Sequence, residues 1–221
     1  MSKTLWTFGD SFTQGFSCIP IIEYPTIPKY YEYKTIGDDI WPNLLSKYLG
    51  IKLINKGLGG ISNDSIIDII IDNWDSIKPG DIVIIGMTFN VRIDVPIKEN
   101  KKLKINKPRL YSMSNLLNSE LINDMTENQK ETIINFQYYF ANSELFKERN
   151  IKRFNHIKKL LEANEIFVFV WELENEANKY ETITTATNNI IEDNHWSFKG
   201  NYDFSKFLMK KLKFDYNNKL I

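Results

Sequence analysis

The apolar and polar positions of the chain sort into short apolar runs separated by longer amphipathic stretches. Leu5–Phe8, Ile51–Ile54, Ile82–Ile85 and Ile166–Val170 read as strands, the third being the unbroken aliphatic run of a strand buried on both faces. Between them the spacing becomes helical. Trp41, Leu44, Leu45, Tyr48 and Leu49 share one face of a helix that Asp38-Asp39 and Pro42 open and Gly50 closes. Ile66, Ile67, Ile70, Ile71 and Trp74 form the buried side of a second. Residues 127–164 read as one long helix or two consecutive ones, with Phe136, Phe140, Phe154, Ile157, Leu160 and Leu161 as the candidate core face. A closing helix, Phe198–Leu212, turns Phe204, Phe207, Leu208 and Leu212 inward and precedes a loosely held tail. Residues 180–191 are polar and β-leaning, suited to a short fifth strand. Strands alternating with helices predict an α/β fold with a doubly wound, mostly parallel sheet.

Two segments interrupt the alternation. Residues 16–36 carry Pro20, Pro25 and Pro28 among Tyr24, Tyr30, Tyr31 and Tyr33, a spacing that forbids a regular helix. Such a loop is either an aromatic binding wall or a cover over the core. Residues 95–126 dissolve into Lys, Asn, Ser and Leu, with Lys98, Lys101, Lys102, Lys104 and Lys107 as the one dense basic stretch. A run of that kind is ordinarily a solvated loop, here an insertion in position to help form a lid. No internal repeat or linker divides the sequence, so a single domain over residues 1–221 is expected.

Composition narrows the function classes. Lys+Arg and Asp+Glu balance at 28 each, so no global field favours nucleic acid or an anionic membrane, and neither is expected as a partner. The one cysteine, Cys18, forms no intrachain disulfide and no cysteine zinc cluster. No apolar run approaches the roughly 18–20 residues of a membrane span. Met1–Thr4 lead into the first strand without a signal-peptide apolar region, so a cytoplasmic location is expected, with release by lysis or within a larger particle left open. Oligomeric state is not legible.

The chemistry collects where strands end. The first strand stops at Gly9-Asp10-Ser11, which sets a serine at the carboxyl edge of the sheet, where open α/β sheets bind ligands. Asp10-Ser11 also suits a plain helix cap. The second strand delivers Asn55-Lys56-Gly57-Leu58-Gly59-Gly60, whose glycines bring backbone N–H groups towards a ligand but match neither nucleotide-binding glycine pattern. The third ends at Gly86-Met87-Thr88-Phe89-Asn90-Val91-Arg92, and the fourth at Trp171-Glu172. Of two histidines, His156 sits among Arg153, Lys158 and Lys159 like a surface residue, whereas His195 lies beside Glu192 and Asp193. A serine needs an adjacent base to act as a nucleophile at neutral pH, and that base needs an orienting acid. If Ser11 is a nucleophile, His195 is its base.

These blocks resemble those of the SGNH hydrolases, the GDSL esterase/lipase superfamily. Phe8-Gly9-Asp10-Ser11 resembles block I, with Phe12 where many members have Leu. Residues 55–60 resemble block II, and Glu192-Asp193-Asn194-His195-Trp196-Ser197 the last block, all in family order. The resemblance implies a flavodoxin-like three-layer α/β/α sandwich. It also implies a Ser11-His195-Asp193 triad, with Glu192 the alternative acid, and Gly60 in the oxyanion hole. Block III departs from the family's Gly-x-Asn-Asp: Thr88 stands in the Asn slot and Asn90 two residues on, either of which offers a donor. The implied activity is hydrolysis of small acyl esters, acetyl above all and with a carbohydrate alcohol, through an acyl-enzyme and without metal or organic cofactor. A non-catalytic binding or structural module of the same fold, and an O-acetyltransferase using the same residues, are the alternatives.

Overall fold

The computed structural model describes residues 3–15, 39–97, 109–112, 125–140, 143–180, 182–185 and 191–219. Four parallel strands make the central sheet: β1 (Thr4–Phe8), β2 (Lys52–Asn55), β3 (Ile82–Met87) and β6 (Phe167–Glu172), in the order β2-β1-β3-β6. The register pairs Trp6 with Ile54 on one side and with Val83 on the other, and Ile85 with Val170. All four carboxyl ends therefore open on one edge.

Alternation along β1 and β3 builds a core on each face. Trp6, Phe8, Val83 and Ile85 pack with Ile66, Ile67 and Ile70 of α3 (Asn63–Asp72) and with Phe154, Ile157 and Leu161 of α5 (Ser143–Glu162). Leu5, Ile82 and Ile84 face the other way, onto Trp41 and Leu45 of α2 (Trp41–Leu49) and Phe204, Leu208 and Leu212 of α7 (Phe198–Lys219). Each large side chain so buried contributes about 1.5–3 kcal/mol. The result is the expected α/β sandwich of helix, sheet and helix layers.

Several local expectations change. Within residues 180–191 a short strand does form, but among the described residues it does not join the central sheet. Instead β7 (Thr182–Thr185) and β8 (Ile191–Trp196) pair antiparallel in a separate two-stranded ladder, with a register irregularity between Thr182 and Ile183. A second ladder, β4 (Asp94–Ile97) with β5 (Arg109–Ser112), lies inside the interval read as loop, while Lys98–Lys107 and the tyrosine-rich 16–36 lie outside the described residues. Of the two arrangements expected for residues 127–164, two consecutive helices form, α4 (Glu127–Phe140) and α5, while α7 runs on to Lys219 through much of the supposed tail. The apolar faces also run wider than their neighbours cover: Tyr48, Ile71, Phe136 and Leu160 are exposed. Among the described residues no helix is long and apolar enough to cross a membrane.

Candidate active site

β1 is followed at once by the single-turn helix α1 (Ser11–Gln14). Asp10 caps it, its Oδ1 accepting from Phe12 N–H at 3.1 Å, while the carbonyl of Asp10 accepts from Thr13 and Gln14. Ser11 thus begins a helix whose first turn is already closed, with its side chain at the carboxyl edge of the sheet.

β8 brings His195 to that serine. His195 Nε2 lies 2.7 Å from Ser11 Oγ, within hydrogen-bond reach although 184 residues separate them. The imidazole is stacked on Phe12, with ring centroids 4.8 Å apart and planes 27° from parallel. Phe12 in turn meets Trp196 edge-on at 5.0 Å, and Trp196 donates its indole N–H to the Ala177 carbonyl at 3.0 Å. A chain of buried aromatic contacts so fixes the ring that faces the hydroxyl. Tyr180 packs on Trp196 as well; burial and then the charge of Glu176 push its hydroxyl up to about 12, so it stays neutral at physiological pH. The side chains of Glu192 and Asp193, the two candidates for the orienting acid, lie outside the described residues.

The glycine turn after β2 is sewn to the serine turn. Asn55 is the clamp: its Oδ1 accepts from Thr7 Oγ1 and Gly57 N–H, and its Nδ2 donates to the Thr13 carbonyl at 2.9 Å. Leu58 N–H donates to the Gly9 carbonyl and Gly59 N–H to Gln14 Oε1. The approach is so close that a Cβ on Gly57 would lie 2.4 Å from the backbone nitrogen of Gln14, which only glycine permits. Gly60 takes φ 75°, again a glycine conformation, and leads through Ile61 to Ser62, which caps α3.

The turn after β3 completes the edge. Asn63, the first residue of α3, accepts from Thr88 N–H and donates to the Thr88 carbonyl, at 2.9 and 3.0 Å. The Thr88 hydroxyl donates to Asp10 Oδ2 at 2.6 Å and accepts from Arg92 Nη1 at 2.7 Å, so its one proton is committed. Arg92 Nη1 is also 3.0 Å from Asp10 Oδ2. Asn90 is buried; its Oδ1 accepts from Asn150 Nδ2 of α5 at 2.9 Å, which leaves its own NH₂ as the donor, and its backbone N–H donates to Glu174.

Of the residues singled out in the sequence, Ser11 and His195 meet directly. Gly60 and Asn90 belong to turns joined to the serine turn, whose connection runs through Asp10, Thr88 and Arg92. Asn63, Arg92 and Asn150 are given no role by the sequence because each acts through a partner far away in the chain. The one available signal was a buried carboxylate at Asp10, which needs a cation or several donors.

No protein-family model matches the sequence, and none of the curated proteins compared with it is similar. Solved structures are similar to it at low identity and modest TM-score. A protein assigned to the G-D-S-L lipolytic family of Desulfitobacterium hafniense is 15% identical, covering 94% of this chain and 98% of its own, with a TM-score of 0.38. A carbohydrate esterase is 10% identical over 96% of this chain and 68% of its own, at 0.47. A carbohydrate acetylesterase from Sinorhizobium meliloti is 14% identical over 96% and 98%, at 0.40. The chemistry has to be read from this chain's own side chains.

Proposed function

We propose that this protein is a serine ester hydrolase acting on small acyl esters, acetyl esters first among them. The observation that carries the reading is the 2.7 Å contact between Ser11 Oγ and His195 Nε2 at the carboxyl edge of a parallel sheet. Ser11 Oγ attacks the ester carbonyl while His195 takes its proton, giving a tetrahedral oxyanion. Collapse expels the alcohol, which takes that proton from His195, and leaves an acyl-serine. Water attacks the acyl carbon with His195 again as base, and the acid and free enzyme follow.

Asp193 is assigned to hold the imidazole, with Glu192 as the other candidate. The oxyanion is assigned to the backbone N–H groups of Ser11 and Gly60 and to the Asn90 amide. Asn90 is favoured over Thr88 because the Thr88 proton already goes to Asp10, whereas Asn150 holds the Asn90 carbonyl and frees its NH₂. The carbohydrate alcohol remains the substrate class to try first. Trp41, Trp171 and Trp196 are core residues, so aromatic faces for a sugar would have to come from elsewhere in the chain.

The experiment is turnover of p-nitrophenyl acetate and of acetylated glycans by wild type and Ser11→Ala, with Asp193→Ala and Glu192→Ala beside them. Losing the nucleophile costs on the order of 10⁴–10⁶ in kcat. A fluorophosphonate labels Ser11 in the wild type if the serine is activated. Equal turnover in Ser11→Ala, or an unlabelled wild type, would sink the assignment.

A further inference from the structure

We propose that Arg92 is a positioning residue for this hydrolysis, acting on Ser11 through Asp10; the inference rests on the esterase reading above. One nitrogen of its guanidinium touches all three turns of the edge. Nη1 is 3.0 Å from Asp10 Oδ2, 2.7 Å from Thr88 Oγ1 and 3.5 Å from the Ile61 carbonyl. Asp10 precedes Ser11, Ile61 follows Gly60, and Thr88 stands two residues before Asn90. The guanidinium carbon lies 5.1 Å from the centre of the Phe89 ring, which holds the head group over that point.

Two consequences reach the reacting atoms. The first is geometric. Asp10 uses its other oxygen to cap the helix that begins at Ser11 and sets Phe12 against His195, so fixing this carboxylate fixes both partners of the 2.7 Å contact. The second is electrostatic. Asp10 is 2% exposed and sits one residue from the nucleophile. An unpaired buried carboxylate there would oppose the negative charge that develops on the oxyanion, and the guanidinium cancels it. Arg92 touches no reacting atom, so its role runs through another side chain.

The test is a cycle of Asp10→Asn, Arg92→Met and the double variant, with Arg92→Lys and Ser11→Ala, assayed on p-nitrophenyl acetate where circular dichroism shows each folded. Arg92→Met is expected to lose kcat on the order of 10²-fold, the scale of a small misplacement of reacting groups, with KM little changed. Arg92→Lys keeps most of kcat, because the side-chain polar contacts of Arg92 among the described residues all come from one nitrogen and a lysine ammonium can replace it. In the Asp10→Asn background Arg92→Met costs little more. A folded Arg92→Met with wild-type kcat overturns the proposal, and so does a large further loss in the double variant. If Arg92→Met alone does not fold, the comparison of Asp10→Asn with the double variant, which buries no lone charge, still decides. Turnover by Ser11→Ala at the wild-type rate would overturn the esterase reading, and this role with it; an inactive Ser11→Ala beside a fully active Arg92→Met overturns the role alone.

Discussion

The two edges of the sheet each bury an aspartate, and they satisfy it in opposite ways. At the amino edge Asp81 is held by neutral donors: Thr4 N–H at 2.8 Å, Trp6 Nε1–H at 3.0 Å and Lys78 N–H at 3.0 Å. Those donors belong to β1 and to the turn before β3, so the carboxylate staples β1 to the start of the strand beside it. At the carboxyl edge Asp10 takes one backbone N–H, one hydroxyl and a guanidinium, and the last two arrive from the turn after β3, some eighty residues away in sequence. Aligned N–H dipoles suffice to bury a charge where nothing else is asked of it. If Ser11 is the nucleophile proposed above, the negative charge beside it has to be cancelled, and a cation does that. The staple is assigned to stability, whereas the proposed role of the ion pair is to set the field and geometry around Ser11.

That contrast can be broken or sharpened. Beyond the loss expected for Ser11→Ala, the largest effect is at the carboxyl edge: Asn90→Ala should lower kcat by about 10²–10³, the usual worth of one oxyanion donor, with KM little moved and the melting temperature lowered because buried Asn150 Nδ2 loses its acceptor. A variant with unchanged kcat would return the donor role to Thr88. At the amino edge Asp81→Ala should lower the unfolding free energy by about 2–4 kcal/mol, since Trp6 Nε1 and two backbone N–H groups lose a charged acceptor. Denaturant melts check the loss, and kcat of the folded enzyme should match wild type. A kcat defect with undiminished stability would erase the distinction between the edges.

The smallest effect lies away from both, on α3. Burial, and then the charge of Asp64, holds the Asp68 carboxyl above its ordinary value. The native state therefore binds that proton more tightly than the unfolded chain does, and stability from this group is present at low pH and lost as pH rises through the raised value. Asp68→Asn should melt slightly above wild type at pH 7 and level with it at pH 3. A gap that persists at low pH would remove Asp68 as its source.

How far the sequence could be read depended on how local the cause was. Ile82–Ile85 announced a buried strand because both faces of β3 are covered, and Gly-Asp-Ser at the end of β1 announced the serine turn. His195 was reached by elimination, from the base that a serine nucleophile requires. The β7–β8 ladder was missed because polar residues 180–191 show no period that separates one strand from two paired ones. Tyr48 and Ile71 were placed inside because helical spacing gives the direction of a side chain and says nothing of how far the neighbouring element reaches. Asn63, Asn90, Asn150 and Arg92 act through contacts 25 to 82 residues distant, and no window of sequence contains both partners.

The serine turn shows where the division falls. The sequence by itself determined that a helix would start at Asp10-Ser11, because capping and strand termination depend on a handful of adjacent residues. Whether the turn would be only a cap was decided by the fold, when tertiary packing put β8 and the turn after β3 against it. His195 then stood 2.7 Å from Ser11, and the charge of Asp10 was closed by Arg92. Local energetics write the elements; the meeting of side chains far apart in the chain depends on the cooperative burial of both faces of the sheet.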